Sequence, residues 1–244
     1  MNAIILAAGT GSRLGARTAE VPKPAIAVAG RPLLAYDVAF ARQAGAGRVA
    51  VVVGYRAETT SRLARELGAD DVIVNPRWAD AGNLQSFFAA AAAGLADGDF
   101  LLMNADHIYS PAIAEVVAGT ARAAGTVVAF IDRDRTLGPD DMKVRLDDER
   151  KVAAIGKQLE AWDAGYVGLT VVPAARAADY RYTAENVHRE RGDAIHVESV
   201  LQRMVGVDPA ATCDVSGHGW VEIDDEVDFA RAEEFLGRKA WYVA

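Results

Sequence analysis

The chain has 244 residues, 51% of them apolar, with a formal net charge of −8 and one cysteine, Cys213. That length and apolar content suit one large α/β domain with a sizeable core. The acidic balance weighs against nucleic-acid binding, one cysteine excludes an intramolecular disulfide, and the longest apolar patch, Phe87 to Ala93, is too short to span a membrane. The first residues run straight into a strand pattern with no basic flank before an apolar leader core, so the expected compartment is the cytoplasm.

Residues 3 to 8 read as a short buried strand bounded by glycine. A loop of small residues follows, Gly9-Thr10-Gly11-Ser12, then Arg13-Leu14 and, farther on, Pro22-Lys23-Pro24. Gly9 and Gly11 can take positive φ and let the backbone approach an anion closely. Ser12 is placed to cap a helical turn through Arg13 and Leu14, whose free N–H groups would face phosphate. Arg13 adds a planar fork for phosphate oxygens. Lys23, between two prolines, is expected to be extended and stiffly aimed. Two well-known nucleotide patterns fail on the letters. The third glycine of a dinucleotide fingerprint comes one position late, at Gly15, and the lysine-bearing P-loop pattern is absent. The plainer reading is an ordinary strand–turn–helix, but Arg13 and Lys23 at this spacing favour a triphosphate cradle built from Leu6, Ala7, Ala8, Gly9, Thr10, Gly11, Ser12, Arg13 and Lys23.

Along the chain, strands are expected at 2–7, 48–53, 71–74 and 99–103, and helices at 32–44, 57–67, 83–94 and 110–122. This alternation predicts a mostly parallel, Rossmann-like sheet with helices on both faces. Gly45, Gly68 and Gly94 fall where C′ glycines end helices. Strands near 126–131, 142–147, 151–155 and 166–172 then follow with few helices between them, as in a smaller antiparallel or mixed β-rich extension. Helices near 173–180, 184–190, 195–205 and 225–237 complete the chain. The apolar tail Ala240-Trp241-Tyr242-Val243-Ala244 suits docking on its own domain or on a second copy in a homo-oligomer, and the letters do not choose.

Phe100-Leu101-Leu102-Met103-Asn104-Ala105-Asp106 is an apolar strand ending in a carboxylate. Ligands in open α/β sheets bind at the carboxyl ends of strands, so Asp106 is placed to hold a divalent cation that bridges phosphate oxygens. A helix cap is the competing role, and Ser110 before Pro111 fills it better. The best source of a second carboxylate is the short strand Trp220-Val221-Glu222 with Ile223-Asp224-Asp225-Glu226. Asn83 and Ser86 lie one helical turn apart, where an amide and a hydroxyl suit a pyrimidine edge or a ribose. Their plainer reading is an N-cap and a helix-surface serine. His188, His196 and His218 show no metal spacing and read as surface or core histidines.

The start closely resembles the pyrophosphorylase-type nucleotidyltransferases, whose signature is roughly L-A-A-G-x-G-x-R-L followed by P-K-P. Gly82-Asn83-Leu84-Gln85-Ser86 is similar to the G-N-x-x-S segment of the cytidylyltransferase branch. Asp106-His107-Ile108-Tyr109-Ser110 is similar to the D-H-V-Y-S run of inositol-1-phosphate cytidylyltransferases. Ile155-Gly156-Lys157-Gln158-Leu159 with Trp162-Asp163 resembles their I-G-K-x-L-x-x-W/F-D. The likeness runs through most of the chain and is patchiest from about 176 to 218. It implies a nucleotidyltransferase (GT-A-like) fold and one transferase domain over 1–244, its first half (about 1–122) binding nucleotide and its second the acceptor. The family's D-x-D-T pattern aligns Asp224 with the second metal ligand, although Glu222 and Asp225 depart from it. The likeness also implies an acceptor pocket of His107, Lys143, Lys157, Gly168 and Asp163. The implied reaction is magnesium-dependent transfer of CMP from CTP to inositol 1-phosphate, with Arg13, Lys23 and Asp106 as catalytic residues. Its rivals are another nucleotide base or phosphorylated acceptor on the same fold, and a non-catalytic nucleotide-binding regulatory subunit. A dinucleotide-binding oxidoreductase is disfavoured by the late glycine.

Overall fold

The structure, a computed structural model, describes residues 1–237; the apolar tail at 240–244 lies outside the described residues. In chain order the elements are β1 (Asn2–Ala7), α1 (Ala16–Glu20), β2 (Ala27–Val28), β3 (Arg31–Pro32), α2 (Leu33–Gln43), β4 (Arg48–Val53), α3 (Ala57–Glu66), β5 (Asp71–Val74), α4 (Leu84–Ala92), β6 (Phe100–Asn104), β7 (His107–Tyr109) and α5 (Pro111–Ala123). They continue as β8 (Val128–Asp132), β9 (Lys143–Leu146), β10 (Val152–Gly156), β11 (Ala164–Val172), α6 (Ala174–Arg191), α7 (Glu198–Met204), β12 (Ala211–Asp214), β13 (Trp220–Glu222) and α8 (Glu226–Gly237).

Among the described residues one nine-stranded sheet runs in the order β10-β9-β11-β6-β1-β4-β5, with β8 on β11 and β12 on β8. Strands β6, β1, β4 and β5 are mutually parallel, as helical crossovers require. β11 reverses direction and pairs antiparallel with β6, β8 and β9. The β-rich extension is therefore continuous with the parallel sheet.

Alternation along β1 builds a core on each face. Ala3, Ile5 and Ala7 join Leu33, Leu34 and Phe40 of α2 and Ile113 and Val117 of α5. Ile4 and Leu6 join Leu84 and Phe87 of α4 and Tyr180 of α6. Phe87, Phe100 and Tyr180 pack ring on ring with centroids 5.4–5.9 Å apart.

Most expected elements fall where they were read. The two helices expected at 173–180 and 184–190 are one, α6. Thr183 bonds back to the Asp179 carbonyl at 2.8 Å, and Ala177, Tyr180, Ala184 and Val187 form one buried stripe across the expected break. Edge strand β12 had not been read from the sequence; it pairs in parallel with β8. Ser110 caps α5 by accepting from the Ile113 N–H, with Pro111 at the first helical position.

Candidate active site

β1 ends at Ala7, and the loop that follows forms one wall of a cleft of about 580 Å³. Leu6 to Arg13, Lys23, Asn83, Ser86, Asp106, His107, Lys157, Gly168 and Asp224 all line it. Gly11 takes φ +66°, and a Cβ there would lie 2.7 Å from the Lys23 Cβ. Glycine is needed at that position both for its conformation and for room. Gly9 does not take positive φ. Ser12 opens the 3-10 turn Ser12–Leu14 and does not cap it; Gly11 occupies the cap position, with no side-chain cap bond. Lys23 likewise departs from expectation. Pro22 is extended, but Lys23 begins a 3-10 turn through Ala25, closed by the Ile26 N–H on the Lys23 carbonyl.

That turn leaves Lys23 nearly buried with its ammonium between two carboxylates, 3.1 Å from Asp106 Oδ2 and 3.0 Å from Asp224 Oδ1. Arg13 Nη2 lies 2.9 Å from Asp224 Oδ2, and Arg13 Nη1 lies 3.7 Å from Asp140. A two-stranded ribbon brings the carboxylates together: β7 pairs antiparallel with β13, His107 opposite Glu222, and the Ile223 N–H donates to the Asp106 carbonyl at 2.9 Å. Burial alone would lower the Lys23 pKa, but Asp106 and Asp224 outweigh it and hold the ammonium above its ordinary value. Burial would raise Asp106; Lys23 and His107 reverse this and hold it far below the usual carboxylate range.

His107 is the second support of Asp106. Its Nδ1 is 2.7 Å from Asp106 Oδ1, and its Nε2 faces Glu222 at 3.9 Å. Burial favours the neutral ring, yet Glu222 and Asp106 together raise its pKa. The ring is stacked between Tyr109 and Trp220, tilted only 11° and 15° from them. Trp220 is fixed in turn by its indole N–H on Asp132 at 2.7 Å and by the Arg135 guanidinium, 4.4 Å from its ring centroid. Gly168 makes room for this stack. It takes φ +75° at an irregularity in the β11–β8 pairing, and a Cβ there would be 3.1 Å from His107 Cε1 and Tyr109 Oη.

Two residues expected in the acceptor pocket have other work. Lys143 is buried outside the cleft lining, and its ammonium donates at 2.8 Å to the carbonyls of both Gly138 and Lys157. It ties the 138–141 loop to the strand end that carries Lys157, so its ammonium is engaged there and not turned to the cleft. Asp163 is also outside the lining and accepts from the Leu146 N–H at 2.8 Å. The Lys157 ammonium, by contrast, makes no hydrogen bond or ion pair among the described residues and lines the cleft.

Asn83 and Ser86 are neither a side-chain cap nor a surface serine. Asn83 Oδ1 accepts from the Val197 N–H at 2.8 Å, and buried Ser86 accepts from Asn75 at 3.0 Å. His196 lines the cleft, contrary to the surface-or-core reading. Asn104, Tyr166 and Glu198 also line it and had not been singled out. For Glu198 a signal existed: it shares the stripe of Leu201 in an otherwise apolar helix pattern, where a carboxylate is out of place.

The family model for the MobA-like NTP transferase domain matches residues 3–204. The chain belongs to this family. The resemblance read from Leu6–Leu14 and Pro22-Lys23-Pro24 is borne out, and so is the fold. The inositol-1-phosphate CTP transferase from T. maritima superposes with a TM-score of 0.79 at 22% identity, covering 100% of this chain and 97% of that one. A bifunctional IPC transferase and DIPP synthase of Thermococcus kodakarensis is 29% identical over 98% of this chain and 51% of its own length. A CMP-5'-(3-aminopropyl)phosphonate synthase of Streptomyces rubellomurinus is 28% identical over 96% of this chain and 38% of its own length. The chain thus spans about half or less of the length of these two curated relatives. Among the described residues no helix is long and apolar enough to cross a membrane.

The donor set suits a hard divalent ion. No group of three ligating side chains occurs among the described residues. Two carboxylates nevertheless converge on one point, already filled by a cation, the Lys23 ammonium. Magnesium is commonly held by one or two carboxylates, with phosphate oxygens and waters completing the shell.

Proposed function

We propose that the chain transfers CMP from CTP to a phosphorylated polyol, inositol 1-phosphate first among them, and releases pyrophosphate. The observation that carries this reading is the convergence of Arg13, Lys23, Asp106 and Asp224 beside the Gly9–Ser12 loop. A simple nucleotide-binding subunit has no need of paired carboxylates there. The inositol- and phosphonate-related names of the relatives support a cytidylyl donor and a small phosphorylated acceptor.

In this reading residues 1–244 act as one cytoplasmic transferase unit. Leu6 to Arg13, Lys23, Asn83 and Ser86 hold the nucleotide from the first half. His107, Lys157 and Gly168 border the acceptor, which the second half completes. Asp106 and Asp224 would hold magnesium, which supplies charge neutralisation on the triphosphate. The acceptor's phosphate oxygen forms a bond to the α-phosphorus as the bond to the pyrophosphate oxygen breaks in line. The attacking oxygen is already ionised near neutral pH, so no general base or covalent intermediate is required. Lys23 and Arg13 stabilise the charge that builds on the departing pyrophosphate, and positioning supplies most of the remainder.

The test is pyrophosphate release measured for four nucleoside triphosphates against inositol 1-phosphate, a sugar 1-phosphate, choline phosphate and 2-aminoethylphosphonate. CTP with inositol 1-phosphate is expected to give the highest kcat/KM. A higher value for another pair overturns the substrate assignment, and no release with any pair overturns the reaction class.

A further inference from the structure

Glu198 opens α7 with only 8% of its surface exposed, and it lines the cleft. Buried carboxylates are normally paired. Among the described residues no lysine, arginine or histidine pairs with this one, and its one hydrogen bond is a long one, 3.4 Å from Asn104 Nδ2. Its charge is felt nearby: the buried phenols of Tyr166 and Tyr180 are raised first by burial and then by Glu198. A carboxylate withdrawn from water with so little protein compensation calls for donors supplied by a ligand.

Its place indicates which ligand. Asn104 lies two residues before Asp106 at the end of β6, and Tyr166 stands on β11, the strand that also carries Gly168. The unpaired ammonium of Lys157 lines the same cleft. A phosphorylated molecule seated between these groups has its phosphate drawn to the lysine and its remainder facing Glu198. A carboxylate beside a primary amide accepts and donates together, as a hydroxyl requires. An ammonium ion would need acceptors alone. A quaternary ammonium would want a cage of rings; Tyr180 is buried in the core and does not line the cleft, and of the lining Tyr166 and Trp78 the indole packs against Tyr55 and Gly54.

Resting on the function proposed above, we propose that Glu198 binds hydroxyl groups of the acceptor at the end remote from its phosphate and so selects polyol phosphates. The experiment compares wild type with Glu198→Gln and Glu198→Asp by steady-state pyrophosphate release and by calorimetric binding of inositol 1-phosphate. A hydrogen bond to a charged group sets the expected size. Glu198→Gln should raise the KM and Kd for inositol 1-phosphate roughly tenfold or more, with the CTP KM within about twofold. Glu198→Asp keeps the charge but shortens its reach, and it should fall between the two. An unchanged acceptor Kd overturns the proposal, as does a parallel rise in both KM values with a lowered Tm, the mark of a structural role. Preferential use of 2-aminoethylphosphonate by wild type, with Glu198→Gln losing that preference, also overturns it in favour of an ammonium contact. Because the calorimetry needs no turnover, absent pyrophosphate release sinks the reaction class while still testing Glu198.

Discussion

Asp37 lies within α2 at 0% exposure, and among the described residues neither of its carboxylate oxygens has a hydrogen-bond partner. Burial first, and then the charge of Asp106, pushes its carboxyl well above its ordinary value near 3.8, with Lys23 opposing. An acid whose pKa is raised by folding binds its proton more tightly in the native state. Its contribution is fully present below the unfolded value and is lost as pH rises through the folded one. Asp37→Asn should therefore melt at a higher temperature than wild type near pH 8, with the gap closing by about pH 4. Thermal melts at both pH values check this, and an equal gap at both would refute the ionisation argument. The neighbouring Lys23 shows the opposite case, a charge kept because its partners are in place. Gly11 contributes to that placement by leaving space for the lysine stem.

The walls of the cleft are held together by a clamp between the 75–86 and 192–198 segments. The Gly82 N–H donates to the Asp193 carbonyl at 2.8 Å, and Arg77 reaches both Asp193 oxygens, at 3.2 and 2.9 Å. A Cβ on Gly82 would fall 1.9 Å from the Ile195 carbonyl oxygen, too close for any accommodation without moving backbone. Gly82→Ala should raise the KM values for CTP and acceptor together, several-fold each, whereas Glu198→Gln moves the acceptor alone. Kinetics with each substrate varied in turn separate the two patterns. Local elements of this kind divide into legible and illegible parts. The β1 strand, the loop after it and the glycine-ended helices could be read because their signals lie within a few residues. The α6 stripe could also have been read, since Ala177, Tyr180, Ala184 and Val187 recur at helical spacing. The clamp, the β7–β13 ribbon and the true role of Lys143 could not. Each depends on partners from 14 to 116 residues apart in sequence, such as Lys143 with Lys157 and Arg77 with Asp193. A buried lysine bonded to carbonyls and a phosphate-binding lysine look alike in a string of letters.

Taken whole, the molecule is acidic, with a net charge of −8, yet the proposed function requires it to receive a polyanion. The two cations beside the Gly9–Ser12 loop are already engaged: Lys23 with Asp106 and Asp224, Arg13 with Asp224 and Asp140. A triphosphate can draw these cations away only if something else neutralises the carboxylates they leave. Nucleotide and divalent ion should therefore favour each other's binding. CTP should bind at least tenfold more tightly with magnesium than with a chelator, about 1.4 kcal/mol of coupling, and the ratio should shrink in Asp224→Asn. Titration calorimetry in the two buffers measures it, and a ratio that Asp224→Asn leaves unchanged would count against the exchange.

The ring stack at the cleft floor has a practical consequence. Trp220 lies 5.4 Å from the His107 ring centroid, and His107 holds Asp106. Indole emission is quenched by a charged imidazole in contact with it. The chain thus carries a native indole one side chain away from its candidate reacting centre, whose emission should change over that of the other three tryptophans when a ligand binds beside His107.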